Sequence, residues 1–344
     1  MTPLSARLFP LQEATLTTLT IAFLGIGLMG HPMATRLAQA GWTVHAWNRS
    51  PAKAEALRSA GALPCSALDD AVRAADIVIS MLASGAVVGE LIEAALPSLR
   101  PGALWIDMSS TQHGEALAFH AHLASGQVRF LDAPVSGGVA GAQAGSLAIM
   151  AGGDPDDFAR AEPILRVMGR PTLVGRAGSG QVAKLCNQLI VGGTLNIVAE
   201  ALLLAQAAGA DPAAVRDAIR GGFAESRILE LHGQRMLDRN FIPGGQVTSQ
   251  LKDLQNVLVA AADAGLVLPV TALVTENYRS IAAQLPRADH AAALLALEKM
   301  NPGQRLGTAP DQLPPDLTPD RCGTCTAQPE TTAPGLNGIR VPPA

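Results

Sequence analysis

Gly25-Ile26-Gly27-Leu28-Met29-Gly30 follows an apolar strand, Ile21 to Leu24, without a gap and opens a segment of helical periodicity. In a strand-to-helix turn with this spacing, the first glycine makes the tight bend and the second lets the backbone approach a pyrophosphate. The third lets helix pack close on strand, and the helix N-terminus meets the phosphate charge. Gly25, Ile26, Gly27, Leu28, Met29 and Gly30 are therefore read as the dinucleotide loop of a Rossmann-type domain. That fold class then orders the rest of the chain.

From Thr20 to about Arg176 short apolar runs alternate with amphipathic stretches, as βα units around a parallel sheet do. Strands are expected at Ile21 to Leu24, Val44 to Trp47, Ile77 to Met81, Leu104 to Asp107 and Phe130 to Asp132. The helix after Met29 carries Pro32 in its first turn and ends at Gly41, and Ser50-Pro51 starts the next with a cap and a proline. After Gly178-Ser179-Gly180 the strand signals fade into Ala- and Leu-rich helical periodicity up to about Met300. One long helix, Gln181 to Ala208 with Gly209 at its end, is expected to join the two halves.

The expected architecture is α/β: an N-terminal extension (1–19), a Rossmann-type parallel-sheet domain (20–180), an all-α domain (181–300) and a Pro- and Gly-rich, mostly disordered tail (301–344). Hydrophobic residues make up 48% of the 344 and charged ones 16%, enough apolar surface for two cores. With 25 Lys and Arg against 29 Asp and Glu, no basic excess exists to hold a nucleic-acid backbone. The most apolar stretch, Cys186 to Ala210, is broken by Asn187, Gln188, Asn196, Glu200 and Gln206, so it reads as a buried helix and no membrane partner is expected. Residues 1–19 hold one Arg and no compact apolar segment of a secretion signal, which gives a cytoplasmic expectation.

No metal site is expected. Cys322 and Cys325 form a single C-x-x-C without a second ligand pair, and His120 and His122, two apart on a helix, diverge. Cofactor choice is read at the end of the second strand. Asn48 stands eighteen residues beyond Gly30, where an acid would otherwise meet the ribose 2′-hydroxyl, and Arg49 and Ser50 follow it. An uncharged side chain beside a guanidinium fork suits a 2′-phosphate, so NADP(H) is preferred, with NAD(H) possible.

Three further segments carry chemistry: Asp132-Ala133-Pro134-Val135-Ser136-Gly137-Gly138, Gly178-Ser179-Gly180-Gln181-Val182-Ala183-Lys184-Leu185-Cys186-Asn187-Gln188, and Lys252-Asp253-Leu254. Ser136, Gly137 and Gly138 offer a hydroxyl and open backbone N–H groups that suit a carboxylate. Lys184 lies in the first turns of the long helix with Asn187 and Gln188 on its face, and burial beside Val182, Ala183 and Leu185 would draw its amine toward proton exchange.

Together with the glycine loop, these segments resemble the β-hydroxyacid dehydrogenase family over roughly Thr20 to Met300. The resemblance implies an NAD(P)-dependent oxidoreductase that interconverts a small hydroxy acid and its semialdehyde or keto acid by direct hydride transfer. It further implies that Lys184 is the catalytic lysine, that Ser136, Gly137 and Gly138 bind substrate, and that either Asn187 or Gln188 positions it. Leu82, Ala83, Thr111 and Lys252 match cofactor contacts, although Ala83 replaces a common proline. Leu237 to Phe241 is similar to the members that reduce tartronate semialdehyde or oxidise threonate. Two other readings share the fold, an imine reductase and a non-enzymatic NADP-binding scaffold, and both generally lack the lysine that Lys184 supplies. The family's long interdomain helices imply a homodimer or homotetramer.

Overall fold

A computed structural model describes residues 19–315. Its first half alternates strands and helices: β1 (Thr20–Leu24), α1 (Gly30–Gln39), β2 (Thr43–Trp47), α2 (Pro51–Glu55), β3 (Leu63–Pro64), α3 (Leu68–Val72), β4 (Ile77–Ser80), α4 (Gly85–Ala95), β5 (Leu104–Asp107), α5 (His113–Ser125) and β6 (Arg129–Asp132). There follow β7 (Val135–Ser136), α6 (Gly138–Ala144), β8 (Leu147–Gly153), α7 (Pro155–Met168) and β9 (Gly169–Gly175). The sheet runs β3-β2-β1-β4-β5-β6-β8-β7, with β9 on β8. Strands β1 to β6 pair in parallel, while β8 runs antiparallel to β6 and β7.

Both faces of the sheet are covered, which is why its central strands read as continuous apolar runs. Ile21 and Phe23 enter one core with Met33, Leu37, Ile106 and Leu131. Ala22 and Leu24 enter the other with Val78, Trp105 and Phe130. Strand order reverses between β1 and β4, and ligands of open α/β sheets bind in the crevice beyond the strand ends at such a point. The glycine loop leaves β1 there, beside Leu82 at the end of β4.

Five strands match their expected places to within a residue. The two-residue β3 and the strands β7, β8 and β9 are not among those expected; Gly152-Gly153 and Gly169-Arg170-Pro171 look like turns in the sequence. In the fold Gly152 sits where a Cβ would lie 2.6 Å from the backbone N of Gly180, so it is a close-approach glycine within a strand.

The helical half comprises α8 (Ser179–Ala207), α9 (Pro212–Ile219), α10 (Arg227–Leu237), α11 (Val247–Asp263), α12 (Pro269–Ala282) and α13 (Ala293–Met300). α8 begins two residues earlier than expected and ends against Gly209, whose φ of 84° suits a glycine beyond a helix end. By length and composition alone α8 would span a bilayer. Instead it packs on β8 at its start and on α10, α11 and α13 further along, with Leu195, Ala199 and Leu202 in a core shared with Phe241, Leu254 and Tyr278.

The expected disordered tail is corrected at its beginning. Residues 301–315 fold back onto the helical half, where Leu306 is buried and the Arg239 guanidinium reaches Glu298 and Asp311, the latter at 2.7 Å. Arg239 itself is almost fully buried, so two carboxylates and the Leu306 carbonyl compensate a charge that would be costly alone. Proline and glycine content concealed this clamp, because its partners lie about sixty and seventy residues from Arg239 along the chain. Cys322, Cys325, the rest of the expected tail and residues 1–18 lie outside the described residues.

Candidate active site

The three loop glycines are required for different reasons. Gly25 has a φ of 100°, and a Cβ there would strike the end of β4 at Met81 and Leu82. Gly30 is closed off by the Gly25 carbonyl and by the Phe23 ring, which a Cβ would meet at 3.2 Å. A Cβ on Gly27 would meet nothing within 4 Å among the described residues, so their packing gives no reason for a glycine there. That open space above the start of α1 is what an approaching pyrophosphate needs. Leu28 in the same loop is 77% exposed, with Met29 packed against the sheet core.

Asn48 accepts the Ile26 N–H at 2.9 Å and donates to the Ser50 carbonyl at 3.1 Å, so it shapes the loop rather than leaving its amide free. Arg49 is exposed and makes no hydrogen bond or ion pair among the described residues. Ser50 is the exposed N-cap of α2 and its side chain makes no capping bond. On the β4 side, the Leu82 N–H donates to Ser109 Oγ at 2.9 Å, and Ala83 is exposed beside it.

The two halves meet at the N-terminus of α8. Asp132, at the end of β6, accepts the backbone N–H groups of Gly178 (2.7 Å) and Gln181 (2.8 Å). Burial pushes its carboxyl up to about 7, against the opposing pull of those two N–H groups. Gln181 is fully buried; its amide donates to the Ser109 carbonyl at 2.8 Å and accepts the Thr111 N–H at 3.1 Å. Thr111 is thereby fixed, yet its buried hydroxyl has no partner among the described residues. Beneath it, burial lifts Asp107 to about 6 while it accepts from Ser80 Oγ at 2.8 Å.

One turn beyond Gln181, Lys184 is buried and its Nζ donates to Gln188 Oε1 at 2.9 Å. The Gln188 amide also accepts from Asn187 (2.7 Å) and donates to Asp253 Oδ2 (2.6 Å). Gln188 therefore holds the lysine, while Asn187 reaches Gln188 rather than Lys184. Burial lowers the Lys184 amine below the ordinary lysine range; Asp253 opposes that shift and Lys252 adds to it. Of the neighbours expected to bury Lys184, Leu185 is buried, whereas Val182 is 41% exposed.

Lys252 crosses that seam, donating to the Ser110 carbonyl at 2.9 Å and lying 3.3 Å from Asp253. A cavity between the halves is lined by Ser84, Ser110, Thr111, Gln112, Lys252 and Asn256. On the other side of α8, Gly137 and Gly138 are exposed with φ values of 138° and 62° at the start of α6, and Ser136 is half-buried. A Cβ on Gly138 would lie 4.0 Å from the Gly244 carbonyl of the helical half. The unexplained openness at Gly27, the orphaned Thr111 hydroxyl and the seam cavity fit a dinucleotide laid from the glycine loop toward Lys252.

Residues 20–201 match the NAD-binding domain of 6-phosphogluconate dehydrogenase, and residues 178–297 the NAD-binding region of NADP-dependent 3-hydroxyisobutyrate dehydrogenase. The chain is 41% identical over 285 residues to 2-hydroxy-3-oxopropionate reductase of Escherichia coli, covering 81% of this chain and 97% of that one. This chain belongs to the β-hydroxyacid dehydrogenase family. Among solved structures, Mycobacterium tuberculosis 3-hydroxyisobutyrate dehydrogenase with L-serine superposes with a TM-score of 0.76 at 33% identity, over 81% of this chain and 99% of that one. A complex of Psf3 with NADP+ and 2-OPP gives 0.73 at 25% identity, over 80% and 99%. As a β-hydroxyacid dehydrogenase, the chain is an NAD(P)-dependent oxidoreductase acting on the hydroxyl of small hydroxy acids, of the 3-hydroxyisobutyrate dehydrogenase and tartronate semialdehyde reductase type.

The sequence reading missed Asp132 in its capping role, and it missed Gln181 and Asp107; the first two stand inside quoted motifs, but only the fold shows which N–H groups they meet. If Gly27 is open for a ligand and Gly30 for the fold, the two alanine variants will separate. Gly27→Ala should melt near the parent temperature while binding NADPH at least about tenfold more weakly, about 1.4 kcal/mol. Gly30→Ala should lower the melting temperature. Fluorescence titration and thermal unfolding read both, and unchanged NADPH affinity in Gly27→Ala would remove the loop from the cofactor site.

Proposed function

We propose that this enzyme prefers NADP(H) and interconverts a small hydroxy acid with its semialdehyde, of the 2-hydroxy-3-oxopropionate and glycerate type or the 3-hydroxyisobutyrate type. The buried Lys184 amine, held by Gln188 at the seam, carries the reading. Ser136, Gly137 and Gly138 bind the substrate carboxylate, presenting the aldehyde toward Lys184. The bound nicotinamide supplies hydride at C4 for reduction and accepts it in the reverse direction. In reduction, Lys184 Nζ donates a proton to the former carbonyl oxygen as the hydroxyl forms; in oxidation the neutral amine removes it. Gln188 positions that amine, and Asn187 steadies Gln188.

The preference for NADP(H) is supported by the unpartnered Arg49 guanidinium next to uncharged Asn48 and Ser50, a set that suits a 2′-phosphate. Leu82, Ala83, Thr111 and Lys252 complete the proposed cofactor contacts. The 2-hydroxy-3-oxopropionate reductase name of the Escherichia coli relative favours the first substrate type. We further propose a homodimer or homotetramer. Ile190, Ile197 and Leu204, seven residues apart along α8, are each more than 60% exposed, a stripe suited to a second copy of this chain.

Initial rates with NADPH and NADH, using 2-hydroxy-3-oxopropanoate and 2-methyl-3-oxopropanoate, test the reaction. Lys184→Ala should lower kcat by about a hundredfold or more with NADPH affinity nearly unchanged. Because the reductive step uses the protonated amine and the oxidative step the neutral one, reduction should slow and oxidation quicken as pH rises through the lowered Lys184 pKa. Arg49→Ala should weaken NADPH by about tenfold and leave NADH unchanged. Near-parent turnover in Lys184→Ala defeats the mechanism, and tight NADPH binding without turnover favours a scaffold or an imine substrate. In light scattering, Ile197→Glu should lower the mass of the assembly; a parent protein already monomeric contradicts the oligomer.

A further inference from the structure

The helical half carries a cluster of ionisable side chains with no role in the steps above. Asp289 is fully buried; its Oδ2 accepts the N–H groups of Gly244 (2.8 Å) and Gly245 (3.2 Å), and its Oδ1 accepts that of Ala291 (3.0 Å). His232 Nδ1 and Arg235 Nε each lie 3.4 Å from Oδ1. The His290 ring stands edge-on to His232 with centroids 4.5 Å apart. His232, Asp289 and His290 offer three ligand atoms within 4.8 Å of one another. A cation there would compete with backbone N–H groups for the carboxylate and face the charge of Arg235, whose Nε lies 3.4 Å from Oδ1. The cluster is better explained as a brace for the imidazoles and for the Gly244-Gly245 turn.

That turn joins the cluster to the carboxylate cradle. A Cβ on Gly245 would lie 3.1 Å from the His290 ring, and Gly244 is the residue whose carbonyl approaches Gly138. The His290 N–H is fixed on the Gly245 carbonyl at 2.9 Å, and its own carbonyl is taken by the Tyr278 hydroxyl. Its half-buried imidazole makes no hydrogen bond among the described residues. Burial drops its pKa to about 4, with Asp289 opposing and the charges of His232, Arg235 and Lys184 reinforcing the shift. A neutral imidazole so placed has one donor and one acceptor to offer a ligand.

We propose that His290 reads the substituent on carbon 2 of the semialdehyde, selecting a hydroxyl over a methyl. Carbon 2 bears the carboxylate, the aldehyde, a hydrogen and one further group. With the carboxylate on Ser136-Gly137-Gly138 and the aldehyde toward Lys184, that group is placed toward the Gly244-Gly245 turn, where the His290 imidazole makes no hydrogen bond among the described residues. A C2 hydroxyl satisfies the imidazole; a methyl leaves it dry and unpaired, and sites built to hydrogen-bond a hydroxyl reject the analogue lacking it far more strongly than apolar pockets reject a methylene. The substrate class is then the 2-hydroxy-3-oxo acids, an assignment that rests on the proposed roles of Lys184 and the Ser136-Gly137-Gly138 cradle.

The test is the ratio of kcat/KM for 2-hydroxy-3-oxopropanoate to that for 2-methyl-3-oxopropanoate in the parent, His290→Leu and His290→Gln. The ratio should favour the hydroxy substrate in the parent and fall at least about tenfold in His290→Leu, through loss on the hydroxy substrate alone. His290→Gln, which keeps a donor and an acceptor, should retain most of it, with NADPH affinity equal in all three as the control for folding. An unchanged ratio in His290→Leu, or equal losses on both substrates, overturns the role of His290 and leaves the proposed reaction standing. Absence of turnover of either acid by the parent overturns the reaction itself and this inference with it.

Discussion

Everything at the seam depends on one buried carboxylate. Asp132 closes β6 and takes the first free N–H groups of α8, where four backbone donors have no partner within the helix and the helix dipole favours negative charge. The approach is tight enough that side chains are excluded around it. A Cβ on Gly152 would lie 2.7 Å from Asp132 Oδ1, and one on Gly180 would lie 2.8 Å from Oδ2. The desolvation that raises the Asp132 pKa is the cost of this joint, and the two backbone N–H groups offset it. Once the helix start is fixed on the sheet, its next turns have no freedom to place Gln181, Lys184 and Gln188 elsewhere.

From that joint the site propagates as a chain of contacts rather than as a single motif. Gln181 pins the loop after β5 through Ser109 and Thr111, and Lys252 pins the same loop from α11 through Ser110. Gln188 ties Lys184 to Asp253 on α11. The seam is thus tied at two places, through the loop after β5 and through Asp253. Lysine needs removal from water to lose its proton near neutral pH, and a single amphipathic helix in solvent would let it snorkel. Here the second half of the molecule removes that escape.

Much of this was legible in the sequence, for identifiable reasons. The glycine loop, the strand ends and the α8 lysine carry local signals, since strand-to-helix turns and helical spacing are set within a few residues. Gln181 and Asp132 stood inside quoted motifs, but their roles depend on partners 46 to 72 residues away. Asn48 was read for its lack of charge, whereas the fold shows its oxygen on the Ile26 N–H. His232, Asp289 and His290 gave no spacing signal, because α10 and the segment before α13 meet only in the folded helical half. The strands beyond β6 and the Arg239 clamp on residues 301–315 were hidden by glycine and proline that serve packing there rather than turns or disorder.

The claim on which the account turns is that burial gives Lys184 an amine that exchanges protons in the working pH range. The chain has four lysines, Lys53, Lys184, Lys252 and Lys299, so their side chains can be followed individually by NMR with 13C- and 15N-labelled lysine. In a titration of the full-length protein with NADP+ bound, the resonance absent from Lys184→Ala should titrate below the reference value of about 10.4. If that resonance titrates at or above the reference value, Lys184 stays charged throughout, and the proposed proton exchange is contradicted.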